Sequence, residues 1–586
     1  MHQSFFKYSF LFFLIVILMA CNPAAKTTGK SPASASGQKG KRVLTEEELI
    51  NLKFLFVNAN KEKILGNKEK AAELFAQCIR IDGSNHAAMY ELSIIYAEQK
   101  KINDALFFAR SAHAIAPANT WYRLFLAELL MAGKKSSEGE AMYAGLYKEF
   151  PRNVDYAFKY ASALLYNGKI NEAIKVYDKV EEEIGINADL TIEKERLWLR
   201  LGKIDKAAAE IEKLIAKEPK EIKNYSLLVE LYQVNDMPEK ALETINRMKA
   251  VDSESPYMFL ALAEYYRSTN QKEKSFDQLK LAFASKELEQ DLKIKIISSY
   301  MPLVETNPEM LEQALILSSI MTETHPTDAV SMAIYGDFLA LSGKFEIARD
   351  QYLSSLAIDS KNLIVWQQLL ICYSQLSDFK GMLTASEEAL SLYPDQSVLY
   401  LFKGIALTFD KQHQQAVNAL IAGSKLVVDN DIQLKDFYSR LADNYNSLKI
   451  YTESDIYFEK ALKIDPRDPL ILNNYAYYLS ERNEFLDKAE TMSRLSNELR
   501  PDEPSYEDTY GWIFFIMGKY PEAKSWLQKA LDHGGATNGT ILEHFGDVLY
   551  KLGETDNALD YWIRAKAAGD TSDSIDSKIR NKKPDE

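Results

Sequence analysis

The sequence predicts an all-α protein built as a solenoid of about fifteen helix-turn-helix units. Self-similarity recurs about every 34 residues from Thr45 to Ala568, a period typical of helical repeat arrays. Prolines recur in phase where the second helix of a unit should stop, at Pro117, Pro151, Pro219, Pro326, Pro394, Pro466 and Pro501. Because one helix pair cannot bury its apolar face alone, neighbouring pairs are expected to stack on one another.

The stretch GWIFFIMGKYPEAKSWLQKAL, residues 511–531, contains most of one unit. It gives the end of a first helix, a turn at Gly518 and a second helix that contains Ala523. Small residues such as Gly511 and Ala523 let the paired helices approach to about 8–10 Å. The apolar run 512–517 is cut by Gly518 and falls well short of the ~20 residues of a membrane span, so it indicates packing between helices.

These recurring positions resemble the tetratricopeptide repeat family, in which an aromatic-rich first helix with Gly or Ala at its eighth position precedes A-x3-F and Pro. Phe545-Gly546, the turn at Gly553 and Ala558-x3-Trp562 follow the same pattern. The resemblance implies a right-handed superhelix of non-catalytic units. It also implies that the first helices line a concave groove, with the ninth position of each unit directed into it.

Two slips in the repeat phase suggest how the array is divided. About five residues are inserted between Ser285 and Pro308, and about four more between Ser424 and Lys435. We expect a joint near 286–310 that separates an N-terminal array, 45–290, from a C-terminal array, 291–569. A continuous solenoid with two longer loops is the alternative. The tail, 570–586, is predicted to be disordered because it is short and polar.

The N-terminus is predicted to be a signal peptide, residues 1–20, followed by a linker, 21–44. Lys7 precedes a short apolar run that is typical of such a signal. The sequence Leu18-Met19-Ala20-Cys21 resembles the lipobox of bacterial lipoproteins, which implies acylation of Cys21, with palmitate as the typical acyl chain. By the same resemblance, Asn22 in place of Asp implies a lipid anchor in the outer membrane, and the lack of an acidic run after Cys21 implies that the chain faces the periplasm. An ordinary signal peptide with a chance Cys is the alternative, and surface exposure stays open.

Composition argues against several functions. The net charge is −14 with no concentrated basic face, which disfavours nucleic acid. Cys78 and Cys372 lie in apolar helical patterns and are predicted to be core residues. The sequence contains no HExxH, GxSxG or phosphate-binding loop, so we expect neither catalysis nor a cofactor. His533 and His544, near Glu543 and Asp547, are the one weak candidate for a metal site, which we do not expect to bind metal because both carboxylates should lie on an exposed face.

The groove residues are mostly acidic, with aromatic and aliphatic side chains between them. Such a surface suits protein segments of basic and apolar character. A solvated acidic face with no ligand is the alternative for any single position. The candidates are Trp121, Glu128, Phe158, Glu230, Tyr257, Glu264, Asp337, Ile371, Ile405, Asp443, Asn473, Tyr477, Asp508, Trp512 and Asp547.

The stretch 471–531 carries a closer resemblance. Its N-N-x-A-Y unit precedes a D-x-x-G-W unit, which is similar to the C-terminal part of outer-membrane tetratricopeptide lipoproteins. Some of these are adaptors that bind a carboxyl-terminal processing protease and present cell-wall hydrolases to it. The resemblance implies a non-enzymatic, outer-membrane-anchored adaptor or scaffold for periplasmic or envelope proteins. The alternatives are a glycan-binding lipoprotein, although long Gly/Asn/Trp-rich loops are missing from the sequence, and an activator of a cell-wall enzyme.

Overall fold

The computed structural model describes residues 43–584, and this part of the chain is helical without β-strands. The predicted signal peptide, Cys21 and nearly all of the predicted linker lie outside the described residues. The described residues divide into two compact units at Leu201/Gly202. No helix among them is both long and apolar enough to cross a membrane.

The first unit contains nine helices, which we number in chain order. They are α1 Glu46–Ile64, α2 Lys68–Ile81, α3 His86–Glu98, α4 Ile102–Ile115, α5 Thr120–Ala132, α6 Ser136–Glu149, α7 Val154–Tyr166, α8 Ile170–Ile184 and α9 Ala188–Arg200.

The second unit contains the remaining α-helices and a 3-10 turn at Gly535–Thr537. The helices are α10 Ile204–Lys217, α11 Ile222–Val234, α12 Pro238–Val251, α13 Pro256–Ser268, α14 Lys272–Ala284, α15 Gln290–Ser298, α16 Met301–Val304, α17 Pro308–Thr324, α18 Ala329–Leu341, α19 Phe345–Ile358, α20 Leu363–Gln375, α21 Phe379–Leu392, α22 Ser397–Phe409, α23 His413–Ser424, α24 Asp431–Ser447, α25 Tyr451–Ile464, α26 Pro469–Glu481, α27 Leu486–Leu499, α28 Pro504–Ile516, α29 Tyr520–Asp532, α30 Gly539–Lys551, α31 Thr555–Ala568 and α32 Ile575–Asn581.

The predicted helix pairs are confirmed. The phased prolines follow the last residue of a second helix by two positions, as Pro394 follows Leu392 and Pro501 follows Leu499. The turns inside the pairs use one residue with positive φ, such as Gly518 at 76°. Where glycine is missing at this position, a polar residue adopts the same left-handed conformation, as Lys449 does at 59°.

Small residues hold the paired helices close together, as the repeat pattern predicted. A Cβ atom placed on Gly546 of α30 would lie 2.6 Å from the indole of Trp562 in α31. Trp562 is fully buried, and Ala558 beside it is fully buried as well. Because this core is close-packed, the indole can fit only where the facing position has no side chain.

The first predicted phase slip produces irregular helices. α15 and α16 are short and stand where one regular first helix is expected. The stretch from α15 to α16 contributes Ile297, Tyr300 and Val304 to a core cluster that also contains Phe283 and Phe338. Because this core runs through the irregular stretch, the predicted boundary at 290/291 is not where the described chain divides.

The second slip lengthens a helix. α24 spans 17 residues, whereas most first helices span 13. Its N-terminus is capped by Asn430, whose side chain accepts from the backbone N–H of Gln433 at 3.0 Å. The inserted residues therefore extend α24 at its N-terminus after the loop 425–430.

The prediction of a disordered tail is wrong for the described residues 570–584. They include the helix α32, whose Ile575 and Ile579 join the core cluster of the last pair. The Lys578 ammonium group lies 2.7 Å from Glu543 and 2.6 Å from Asp547 in α30. Two apolar side chains four residues apart and one buried ion-pair cluster order the segment despite its polar composition.

Candidate protein-binding face

All the predicted groove residues lie on first helices of the pairs, from α5 to α30. We call this set of side chains the first-helix face, and we describe it separately in each unit. Its residues differ widely in exposure, so the expectation that all of them face solvent is only partly correct.

In the first unit, this face is open and amphipathic. Trp121 is 70% exposed at the start of α5. Glu128 accepts from Lys159 Nζ at 3.1 Å. Phe158 packs on Tyr177, with ring centroids 5.4 Å apart, and lines a cleft of about 340 Å³ together with Tyr143 and Lys159. The cleft is thus lined by aromatic rings together with the side chain of Lys159.

In α11 and α13 of the second unit, the predicted carboxylates lie in surface interactions. Glu230 is exposed. Tyr257 donates to Glu289 at 3.2 Å, and Lys223 lies over its ring. Glu264 pairs with Arg267, which donates from Nε at 2.7 Å. These pairs are solvent-exposed and contribute little to stability.

In α18, α20 and α22 the face is more apolar. Asp337 accepts from the Tyr352 hydroxyl at 2.7 Å, and burial raises the pKa of this carboxyl. Ile371 is 40% exposed. Ile405 is buried in the core cluster of this region. The prediction that it lines the groove is therefore wrong.

The carboxyl group of Asp443 in α24 is shielded from solvent, and its neighbours make up for only part of the lost hydration. Burial raises its pKa to about 6, and Arg440, Tyr478 and Asn474 offset only part of this shift. Its Oδ1 is shielded from solvent and accepts no hydrogen bond within the described part of the chain. Such a carboxyl gains from a cationic group brought to it.

Three further predicted groove residues are buried, contrary to expectation: Asn473, Asp508 and Asp547. Glu543, which we also expected on an exposed face, is buried as well. First helices of neighbouring pairs pack side by side in this region, and α32 covers the last of them. The ninth position therefore points toward the next first helix or the tail.

Five neighbouring side chains of α26, α28 and α30 form what we call the acidic–aromatic cluster: Glu481, Asp508, Trp512, His544 and Asp547. Trp512 Nε1 donates to Glu481 at 2.8 Å, and His544 Nδ1 lies 2.9 Å from Asp508. The Trp512 ring stacks on His544, with centroids 4.0 Å apart. Trp562 Nε1 donates to Asp547 at 2.9 Å.

The carboxylates of the cluster shift the pKa values of the groups beside them. Burial by itself lowers the pKa of His544, but Asp508, Asp547 and Glu481 outweigh burial and raise it overall. Tyr477, half-buried beside the cluster, has its pKa raised first by burial and then by the carboxylates of Glu481, Asp508 and Glu543. Trp512 and Tyr477 remain half-buried and Glu481 is exposed, so an aromatic surface with a carboxylate is accessible to a ligand.

The two histidines of the weak metal candidate are separated by the fold. His544 pairs with Asp508, whereas Nδ1 of His533 lies 2.8 Å from Glu507. Asp502, Glu507 and His533 each offer a ligand atom, all within 4.8 Å of one another. This spacing is compatible with a cation, and the ion pair of His533 with Glu507 equally accounts for it. Sequence reasoning missed this group because Asp502 and Glu507 are about 30 residues from His533.

Two of the three cysteines can be placed. Cys78 and Cys372 are buried and free, as predicted, and burial raises the pKa of both thiols. A raised pKa leaves them protonated and unreactive at neutral pH. The predicted acylation of Cys21 lies outside the described residues.

Comparison with known proteins supports the repeat assignment. Models of the family described as tetratricopeptide repeat match residues 126–186, 436–468 and 457–491. The TPR repeat-containing protein PA4667 of Pseudomonas aeruginosa is 31% identical over 146 residues, which is 25% of this chain and 24% of that protein. The Protein O-mannosyl-transferase TMTC1 of Homo sapiens is 25% identical over 206 residues, 34% of this chain and 23% of that protein. The chain thus matches about a quarter of each relative's length.

Among solved structures, the chain is similar to the complex described as Naa15/Naa10 bound to HypK-THB. The sequence identity is 12% and the TM-score 0.39, with 92% of this chain and 95% of that chain covered.

Proposed function

Because the chain is a tetratricopeptide-repeat protein, we propose that it is a non-catalytic scaffold that holds envelope proteins beside the outer membrane through its first-helix face. The coarser role, protein interaction, fits a repeat array that presents rows of side chains to extended partner segments. The lipid anchor rests on the lipobox sequence at Cys21, its place in the outer membrane rests on Asn22, and the periplasmic orientation rests on the lack of an acidic run after Cys21.

The observation that carries the proposal is the position of Trp512. Its indole is stacked between Phe515, at 4.7 Å, and His544, at 4.0 Å, while Nε1 donates to Glu481. An aromatic side chain held in one orientation loses little entropy when it contacts a partner. Tryptophan is enriched among the hot spots of protein interfaces, and Trp512 is half-buried and so remains accessible to a partner.

The electrostatics favour a basic partner segment. Glu481 is exposed beside Trp512, and Asp443 on α24 holds a shielded carboxyl whose pKa burial raises. A Lys or Arg side chain that reached either carboxylate would neutralise it, and an adjacent apolar side chain would cover the indole. The preferred ligand is therefore an extended segment that alternates basic and apolar residues.

The closer proposal is an adaptor for a carboxyl-terminal processing protease and cell-wall hydrolases. It is supported by the N-N-x-A-Y and D-x-x-G-W units in α26 and α28, which carry Tyr477 and Trp512. Under this proposal, the scaffold brings protease and substrate together at the membrane and raises their effective concentration.

Affinity capture of the full chain from solubilised membranes, followed by mass spectrometry, tests the proposal. We expect envelope proteins that co-purify with the wild type to fall about 30-fold in the double variant Trp512→Ala, Glu481→Lys, because loss of a hot spot costs about 2 kcal/mol or more. Glu522→Lys, an exposed charge reversal on the second helix α29, is the matched control and should capture the same proteins as the wild type. Equal capture by the double variant, or no envelope protein above background for the wild type, would overturn the proposal.

A further inference from the structure

The first helix of the array has an apolar outer face that no described part of the chain covers. Ile50, Phe54, Val57 and Ile64 of α1 are between 63% and 85% exposed. The opposite face of α1 packs on α2 through Leu52, Phe56 and Ala59, so α1 is a folded part of the first unit. Terminal units of repeat arrays usually present a polar outer face to water, which α1 does not.

The spacing of this outer face indicates a helix as its partner. Glu47, Ile50, Phe54, Val57, Lys61 and Ile64 follow one another at intervals of three and four residues. This is the 3.5-residue repeat of a coiled-coil seam, which is a narrow stripe made to pack against one other helix. We call these six residues the α1 seam.

The charges of the α1 seam indicate which helix packs against it. Glu47 lies one heptad before Phe54, and Lys61 lies one heptad after it, and both are exposed. The seam is thus acidic at one end, apolar in the middle and basic at the other. Turned end to end, it is complementary to itself, because a second copy brings its Lys61 close to Glu47 and its Glu47 close to Lys61.

The neighbouring part of the chain offers no such partner. Residues 22–42 contain no large apolar side chain, so this segment has nothing with which to cover Phe54. Beside the seam lies a cleft of about 460 Å³ lined by Val57, Ile64 and Leu65, which provides an apolar site for an entering side chain.

We propose that two copies of the chain associate through the α1 seam as an antiparallel helix pair, with Phe54 near the two-fold axis and Glu47 of each copy paired with Lys61 of the other. The interface is isologous, so the same patch serves both copies. The proposal is independent of what the first-helix face binds.

Co-capture of two differently tagged copies of the full chain, co-expressed and solubilised in mild detergent, tests the proposal. We expect the wild-type copies to co-purify and Phe54→Glu in both copies to reduce co-capture about tenfold or more, because two charged groups would meet in an apolar contact. Phe107→Glu is the matched control, since Phe107 of α4 is 64% exposed and lies outside the seam. It should associate as the wild type does.

A charge exchange distinguishes self-association from every other occupant of the seam. Copies that both carry Glu47→Lys should separate, as should copies that both carry Lys61→Glu, because like charges then face one another. One copy with Glu47→Lys and one with Lys61→Glu should co-purify as the wild type does, since both contacts are restored. Circular dichroism at 25 °C should show the same helical signal for all these chains, so that a loss of association is not a loss of folding.

Three results would overturn the proposal: wild-type copies that do not co-purify, Phe54→Glu copies that co-purify as well as the wild type, or complementary charge variants that fail to restore association. The last result would indicate that another protein, or the apolar run 8–20, covers the seam.

Discussion

Lys578 of the last helix donates to Oδ2 of Asp547 at 2.6 Å, and both side chains are buried. The carboxylates of Asp547 and Glu543 outweigh burial and raise the pKa of the Lys578 amine, so it stays charged at neutral pH. This one side chain forms ion pairs with two carboxylates of the first helix α30 and compensates one of their two negative charges. Without it, the end of the array would carry buried negative charge.

Replacement of Lys578 by Ala should therefore loosen the C-terminal end of the array. Removing one member of a buried ion pair costs about 3–5 kcal/mol, because it leaves the partner charges uncompensated. We expect faster amide hydrogen exchange in α30 and α32, measured by mass spectrometry on the full chain. Arg580→Ala, an exposed site on the same helix, is the control and should exchange as the wild type does. Unchanged exchange in Lys578→Ala would contradict the ordered tail.

The tail shows what the sequence could and could not predict. Ile575 and Ile579 are spaced like one face of a helix, and this signal was available but short. The partners of Lys578, at positions 543 and 547, are about 30 residues away, and no local pattern reveals such a pairing. A polar segment of this length is disordered unless a specific contact compensates the entropy of ordering it.

The raised pKa of Asp443 should make the stability of the folded chain depend on pH. Its pKa in the folded state, about 6, lies above the ordinary Asp value of 3.8, so the folded state favours the protonated form. The stabilisation from protonation is present below about pH 4 and is lost as the pH rises through about 6. Asp443→Asn should therefore raise the melting temperature at pH 7.5, by an amount equivalent to at most about 3 kcal/mol, and change it little at pH 4.

Thermal melts of the full chain at the two pH values measure this difference, with Asp431→Asn, an exposed site on the same helix, as the control. The groups that face Asp443 are Arg440, Tyr478 and Asn474. Equal effects of Asp443→Asn at both pH values would show that the ionised carboxylate of Asp443 does not destabilise the folded state.

A side chain at position 546 should cause a packing defect between α30 and α31. A Cβ at this position would lie 2.6 Å from Cδ1 and Nε1 of Trp562 and 3.2 Å from the Ala558 carbonyl oxygen. Because these neighbours are buried, Gly546→Ala should destabilise the last pair by about 1–3 kcal/mol. Gly83→Ala, where a Cβ meets no atom within 4 Å, is the control. Equal melting temperatures for the two variants would contradict the close approach of α30 and α31.

The helix pairs themselves were predictable because each rests on local chemistry. A proline ends a second helix, a residue with positive φ makes the turn, and a small residue faces a large one. The face of the array was only partly predictable. Helical periodicity identified α28 and α30 as first helices, but it did not reveal that Asp508 pairs with His544 of the next first helix, 36 residues away.

The proposed anchor gives a prediction that does not depend on the fold. Cys21→Ala should abolish acylation, because the thiol is the acceptor in the lipobox, and the chain should leave the outer-membrane fraction. Fractionation with metabolic labelling by a palmitate analogue measures both effects. Cys78→Ala, at a buried core site, is the control and should remain labelled and anchored. Continued sedimentation of Cys21→Ala with the outer membrane would argue against the lipid anchor.

Under the proposed function, partners bind along the first helices of the second unit. In-cell photo-cross-linking from Ile371 of α20 tests it most directly, with Ile347 of α19 as the matched position, since these side chains are 40% and 48% exposed. We expect cross-linked protein partners from a photoreactive residue at position 371 and none from the same residue at position 347. Cross-links of equal yield from 347, or none from 371, would contradict it.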